Sequence, residues 1–194
     1  MSIRIVSDST CDLPQELVDR FQIKIVPAVI CFGSQKCLSG IDIDRELFYR
    51  KLEREDVVPT TSQPSPGQFL EAYNELAHDG HSILVITATA GASGIYQSAM
   101  LAKSMLPDAD IEVIGSMSVS AGAGLVILAV ARAVRAGKSK EEVVASSQGY
   151  QRAPSYACCR SDFETSAARR KGYTEPGAVW FSAGHQGYPV HSEG

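Results

Sequence analysis

The sequence predicts an α/β fold, a mostly parallel sheet flanked by helices, and three observations carry that prediction. Short β-branched runs alternate with amphipathic stretches over residues 1–147. The amphipathic stretches open on residues that start helices, such as Pro14, Ser65 and Ser139. A chain of 194 residues with 44% hydrophobic content is long enough to bury one real core.

Taken in order, Ile3-Arg4-Ile5-Val6 reads as a strand ended by Ser7-Asp8-Ser9-Thr10, and Pro14 then leads a helix running to about Phe21. Residues 23–32 are β-branched and strand-like, with Pro27 marking an edge or a bend. Asp42 or Asp44 caps a helix bearing Leu47, Phe48 and Leu52. Ser65-Pro66-Gly67 opens another with Phe69, Leu70, Tyr73 and Leu76 on one face, stopped at Asp79-Gly80. Ile83-Leu84-Val85-Ile86 reads as a buried strand, followed by a helix from about Ile95 to Leu106, and Ile111-Glu112-Val113-Ile114 as the next strand. A small-residue helix spans about 118–136 and closes at Gly137, and Ser139-Lys140-Glu141-Glu142 has the form of a capping box for one more. Gly122 and Gly124 lie inside the helical run and lack Gly-x-Gly-x-x-Gly spacing, so they let a helix pack closely instead of cradling a phosphate.

From about Gln148 the texture changes. Residues 148–194 keep no apolar period of either 2 or 3.6, and Val179-Trp180-Phe181 forms one isolated apolar cluster. The expected organisation is an α/β domain over 1–147 and a divergent, irregular or partly disordered tail over 148–194, in which Val179 to Phe181 is a short strand or a docking patch.

Charge and cysteine usage narrow the function. A net charge of −4 with scattered lysines and arginines offers no basic field for nucleic acid. No apolar run reaches the roughly 18 residues that a membrane span needs, and the first residues enter a strand without the regions of a signal peptide, so the expected location is the cytoplasm. The five cysteines form no Cys-x-x-Cys pair and no zinc-like cluster. They read as reduced thiols, Cys31 as a small core residue and Cys11 as reactive only if a helix N-terminus lowers its pKa.

Two hydroxyl-rich turns stand out. Thr60-Thr61-Ser62-Gln63-Pro64-Ser65 and Ser93-Gly94-Ile95-Tyr96-Gln97-Ser98 each precede a helix, where unpaired N–H groups and the helix dipole favour an anion. Each hydroxyl taken alone is most simply a helix cap. Neither turn carries Lys, Arg, His or a carboxylate, which points to holding a ligand's head group and away from proton transfer or metal chemistry. His78, His81, His185 and His191 are not placed beside Ser93 and read as surface histidines.

Asp8-Ser9-Thr10 with Asp12-Leu13-Pro14, the Thr60–Ser65 turn and Ser93-Gly94-Ile95-Tyr96-Gln97-Ser98-Ala99 together closely resemble the DegV family of fatty-acid-binding proteins, over about the first 145 residues. The resemblance implies that a long-chain fatty acid lies in a tunnel with its carboxylate held by Thr61 and Ser93, with Ser62 and Gly94 as secondary contacts. It also implies a non-catalytic carrier without cofactor or metal, some members of the family presenting the acid to a separate fatty acid kinase that makes acyl phosphate. The family's usual Leu-Ser-Gly-Thr-Tyr stands here as Ala92-Ser93-Gly94-Ile95-Tyr96, and its Asp-Ser after the next strand as Gly115-Ser116. Its second domain, with Gly-Gly-Arg-Ile and Lys-Pro-like motifs, finds no counterpart in the tail. That departure leads to an expectation of an exposed apolar patch beside Thr61 and Ser93, with self-association or weak lipid binding. Two other readings stay open: a truncated fragment with weak or no lipid binding, and an enzyme acting on a phosphorylated small metabolite.

Overall fold

The structure, a computed structural model, describes residues 2–89 and 93–152. Its main sheet has the strand order β2-β1-β6-β7, all parallel, formed by β1 (Ile3–Asp8), β2 (Lys24–Val26), β6 (Ser82–Thr87) and β7 (Ile111–Gly115). Strand side chains alternate between faces. Val6, Ile83 and Val85 therefore enter one core with Phe69, Tyr73 and Ala99, while Ile5, Leu84 and Ile86 enter the other with Val18, Ile127 and Val130. Helices α3 (Pro66–His78) and α4 (Ile95–Ser104) cover the first face. Helices α1 (Gln15–Phe21), α5 (Ser120–Arg135) and α6 (Lys140–Arg152) cover the second. Central β6 is buried along its whole length, as a parallel strand with helices on both sides must be.

The helix starts follow the sequence closely. Ser65 and Gln68 form a reciprocal capping box with Pro66 behind the cap, and Asp44 accepts from Leu47 N at 2.7 Å at the start of α2 (Arg45–Arg54). Ser139 and Glu142 exchange backbone and side-chain bonds at 2.8 and 3.3 Å before α6, which makes the expected capping box. Gly124 fulfils its packing role: a methyl there would stand 2.6 Å from the carbonyl oxygen of Cys11, so α5 lies directly on the 3-10 turn Ser9–Cys11.

Two expectations need correction. The apolar run 23–32 is not one strand, because Pro27 and Ala28 divide it between β2 of the main sheet and β3 (Val29–Phe32) of a second sheet. That second sheet is antiparallel, in the order β4-β3-β5, with β4 (Gln35–Leu38) and β5 (Thr60–Ser62) on either side. The hydroxyl segment 60–62 is accordingly a short edge strand opposite Val29–Cys31, and only Ser65 caps the helix beyond it. Thr is β-branched and suits an extended backbone, whereas a cap needs a residue directly before the helix. Ile30, Phe32 and Cys37 of this sheet form a small third core with Ile43 and Phe48.

Helix α6 runs to Arg152, past the boundary at 147/148. The readings of residues 153–194, Val179 to Phe181 and the tail's cysteines and histidines among them, lie outside the described residues. No helix among the described residues is long and apolar enough to cross a membrane.

Candidate functional site

The chain leaves β1 toward β2 on one side and returns in β6 on the other, so the sheet order reverses between β1 and β6. Helix α1, which follows β1, and helix α4, which follows β6, lie on opposite faces and splay the two loops apart. In open parallel sheets a crevice forms at this point, outside the carboxyl ends of the strands. Asp8 ends β1 there, and Thr87 ends β6.

Ser93 sits just before α4, whose N-cap is Gly94. Its Oγ accepts from Ile95 N at 3.3 Å and its own N–H donates to Thr89 O at 3.3 Å. An Oγ that accepts from the helix keeps its proton for another acceptor, which suits a carboxylate. Thr61 lies mid-strand in β5, opposite Ile30, and is exposed. Among the described residues neither the Thr61 nor the Ser93 hydroxyl donates to a protein acceptor. Ser62 is exposed as well, and its Oγ reaches only Gln63 O, at a long 3.4 Å.

The two segments meet through Gln63 and Gly94. The Gln63 side chain lies against the Gly94 backbone so closely that a methyl on Gly94 would stand 2.7 Å from its Nε2. The residue two places beyond Thr61 thus touches the residue next to Ser93, which brings both hydroxyl segments to one end of the sheet. The missing side chain of Gly94 permits this close approach, its φ of −75° being open to any residue.

The third strand end is also part of the region. In the β7–α5 connection, Ser116 N donates to Thr87 O at 2.9 Å and Thr89 N donates to Ser118 O at 2.9 Å. Met117 and Ser120 adopt φ of +56°, which costs a non-glycine residue on the order of 1 kcal/mol or more. Ser120 donates to Asp12 Oδ2 at 2.7 Å, and Asp12 too has positive φ, so this bond clamps two strained turns together. Burial pushes the Asp12 carboxyl up, opposed by the Ser120 bond and by the nearby charge of Arg45. Met117 is 59% exposed beside these strand ends.

Cys11 is not activated. It is buried, and desolvation raises its thiol to about 11, so it is a packing residue beneath α5. His78 is exposed and His81 meets Ser2 at 2.7 Å, both away from the strand carboxyl ends. A cavity of about 370 Å³ opens between α1, β2 and α2, lined by apolar Val18, Ile23 and Phe48 and by charged Asp12, Lys24 and Arg45 among others. Neither Thr61 nor Ser93 lines it. Among the described residues no cluster of His, Cys, Asp and Glu is arranged to hold a metal.

A doubly wound parallel sheet with hydroxyl-bearing loops at its switch point makes this an α/β domain of the class in which ligand sites, where present, lie outside the carboxyl ends of the strands. The chain belongs to the DegV family, whose model, described as an uncharacterised protein family, matches residues 2–157. A DegV domain-containing protein of Clostridium perfringens is 40% identical over 141 residues, which are 73% of this chain and 50% of that protein. The structure of a DegV family protein from Thermus thermophilus, described as fatty-acid binding, matches at 31% identity with a TM-score of 0.71, over 78% of this chain and 54% of its own. A stearic-acid-binding protein from Eubacterium ventriosum matches at 31% identity and a TM-score of 0.70, over 76% of this chain and 52% of its own. The chain thus spans about half the length of the relatives it matches.

Proposed function

We propose that this chain binds a long-chain fatty acid as a non-catalytic carrier, with the Thr61 and Ser93 hydroxyls donating to the carboxylate and Ser62 and Gly94 flanking it. The observation that carries the reading is the contact of Gln63 with Gly94, which sets the two hydroxyl segments side by side at the switch point. Among the described residues the two hydroxyls donate to no protein acceptor, and segments 60–65 and 93–98 carry no cation or carboxylate of their own, which suits a site that holds an anion and leaves it chemically unchanged. The fatty-acid binding described for the Thermus and Eubacterium relatives supports the ligand class.

Burial of the acyl chain would supply most of the affinity, at about 0.8 kcal/mol per CH₂, and the hydroxyls the orientation. A carrier that buries the acyl chain and orients the carboxylate can present that carboxylate to a separate fatty acid kinase for conversion to acyl phosphate, and this is the onward step the reading implies in the cytoplasm. Self-association of the unliganded chain belongs to the same reading, because a face that takes up an acyl chain is apolar and open when empty. Mass spectrometry of lipid extracted from gently purified protein tests the reading. Stoichiometric saturated or monounsaturated fatty acid is expected, and protein that carries no lipid and takes up none when offered hexadecanoate overturns it.

A further inference from the structure

One buried carboxylate at the switch point is not used by the proposed head-group contacts. Asp8 is 1% exposed at the end of β1. Its Oδ1 accepts from Thr10 N at 2.9 Å and from the Thr10 hydroxyl, which caps the 3-10 turn Ser9–Cys11. Its Oδ2 accepts from Ala88 N at 3.1 Å, eighty residues away in sequence and across the crevice from β1. No cation pairs with it among the described residues, and burial pushes its carboxyl above the usual range, opposed by these hydrogen bonds. Burying a carboxylate without a counter-charge is costly, and capping one short turn requires only one of its oxygens.

The second oxygen has a different task. Ala88 begins the segment that leads to Ser93, and Ser93 N returns to Thr89 O within the same segment. We propose that Asp8 is a positioning residue for the ligand's head group: its Oδ2 fixes the Ala88 amide across the switch point and so sets Ser93 beside the Thr61 strand. The inference rests on the fatty-acid reading above and names how the Ser93 side of that site is held. Asp8 does not touch the ligand; it acts through the backbone of Ala88 and Thr89.

The substitution Asp8→Asn isolates this bond. The Asn carbonyl oxygen can keep the Thr10 cap, while its NH₂ faces the Ala88 N–H donor to donor. Full-length protein is titrated with hexadecanoate labelled with ¹³C at the carboxyl carbon, whose resonance reports hydrogen bonding at the head group. Asp8→Asn is expected to weaken binding about tenfold, the loss of roughly one hydrogen bond to a charged group, and to move the bound carboxyl resonance. Ser82→Ala, which removes the bond to Asp110 at the opposite end of β6, serves as the structural control and leaves that resonance in place. If Thr61→Val and Ser93→Ala move the resonance and Asp8→Asn does not, the role of Asp8 is overturned and the head-group site stands. If none of the three moves it, both fall. Should Asp8→Asn fail to fold, amide exchange in the unaltered protein decides: hexadecanoate is expected to slow exchange at Ala88 and Ser93 together, and slowing at Ser93 alone overturns the proposal.

Discussion

Strand β6 buries all six of its residues, whereas β5, which carries Thr61, exposes all three. The first lies at the centre of a parallel sheet between two helical layers, and the second at the edge of a three-stranded antiparallel sheet. The buried strand is held by side chains on both faces, so its register and direction are fixed by the core. The exposed strand is held by pairing with β3 and by Gln63 against Gly94. The difference separates a scaffold, where substitution acts on stability, from an exposed edge, where, on the proposed function, substitution acts on the ligand.

The largest effect is expected at the scaffold. Leu84 is fully buried in β6 and belongs to the core shared with Ile127 and Val130. Leu84→Ala removes that packing and leaves a cavity, and a loss of about 2–5 kcal/mol is expected in urea or thermal unfolding. A loss below about 1 kcal/mol would show that the two helical layers collapse around the gap and that β6 is less rigid than its burial implies.

At the edge, the expected effect moves from stability to affinity. Thr61→Val and Ser93→Ala are each expected to weaken hexadecanoate binding by about 1.5–3 kcal/mol, the range for a hydrogen bond to a charged group, with unfolding midpoints unchanged. Because both hydroxyls serve one carboxylate, the double substitution is expected to fall short of the sum. Isothermal titration of the three variants measures this, and unchanged affinity in the double variant removes both residues from the site.

Two of the glycines that make close approaches, Gly124 and Gly94, sharpen the contrast. At Gly124 an added methyl meets a backbone carbonyl at 2.6 Å, and α5 can only move away from the Ser9–Cys11 turn. Gly124→Ala is therefore expected to cost about 1–3 kcal/mol by overpacking. At Gly94 the obstacle is the flexible end of Gln63, which can swing aside. Gly94→Ala is expected to leave stability nearly unchanged and to weaken ligand binding by displacing the β5 side of the site. Equal stability losses in the two variants would mean that Gln63 is as rigid as backbone.

How far the sequence reveals this division follows from the same contrast. Strands β1, β6 and β7, helices α3 and α5 and the capping box before α6 announce themselves through local periodicity and cap residues, which the fold keeps. The small sheet does not, because β5 has only three residues and its partners Val29–Cys31 lie some thirty positions earlier, a pairing no local pattern encodes. Pro27 signals a bend, but which sheet each half of the run joins is settled by tertiary packing. Thr61 and Ser93 are legible as hydroxyls near helix starts; the contact of Gln63 with Gly94 is not, since it depends on two loops meeting. Asp8 is visible as part of a motif, while its burial and its bond to Ala88 emerge only in the folded sheet.

The smallest effect concerns pH and compares the two ends of β6. At the carboxyl end, Asp8 is buried and its folded pKa is raised by desolvation. Its contribution to stability is therefore complete below the unfolded value of 3.8 and is lost as pH rises through the raised folded pKa. At the amino end, Asp110 accepts from Lys140 and Ser82, which hold its carboxyl below the usual range. Its contribution is present above 3.8 and is lost as pH falls through the lowered folded pKa. Asp110 is largely solvent-exposed, so its share is screened and small. Unfolding midpoints measured across the acid range, from about pH 2 to 7, should show Asp110→Asn flattening the acid side of the profile and Asp8→Asn removing the decline above 3.8. If both variants alter the same limb of the profile, the two ends of β6 do not differ in the way their burial implies, and the separation of a charged rim from a buried switch point fails with it.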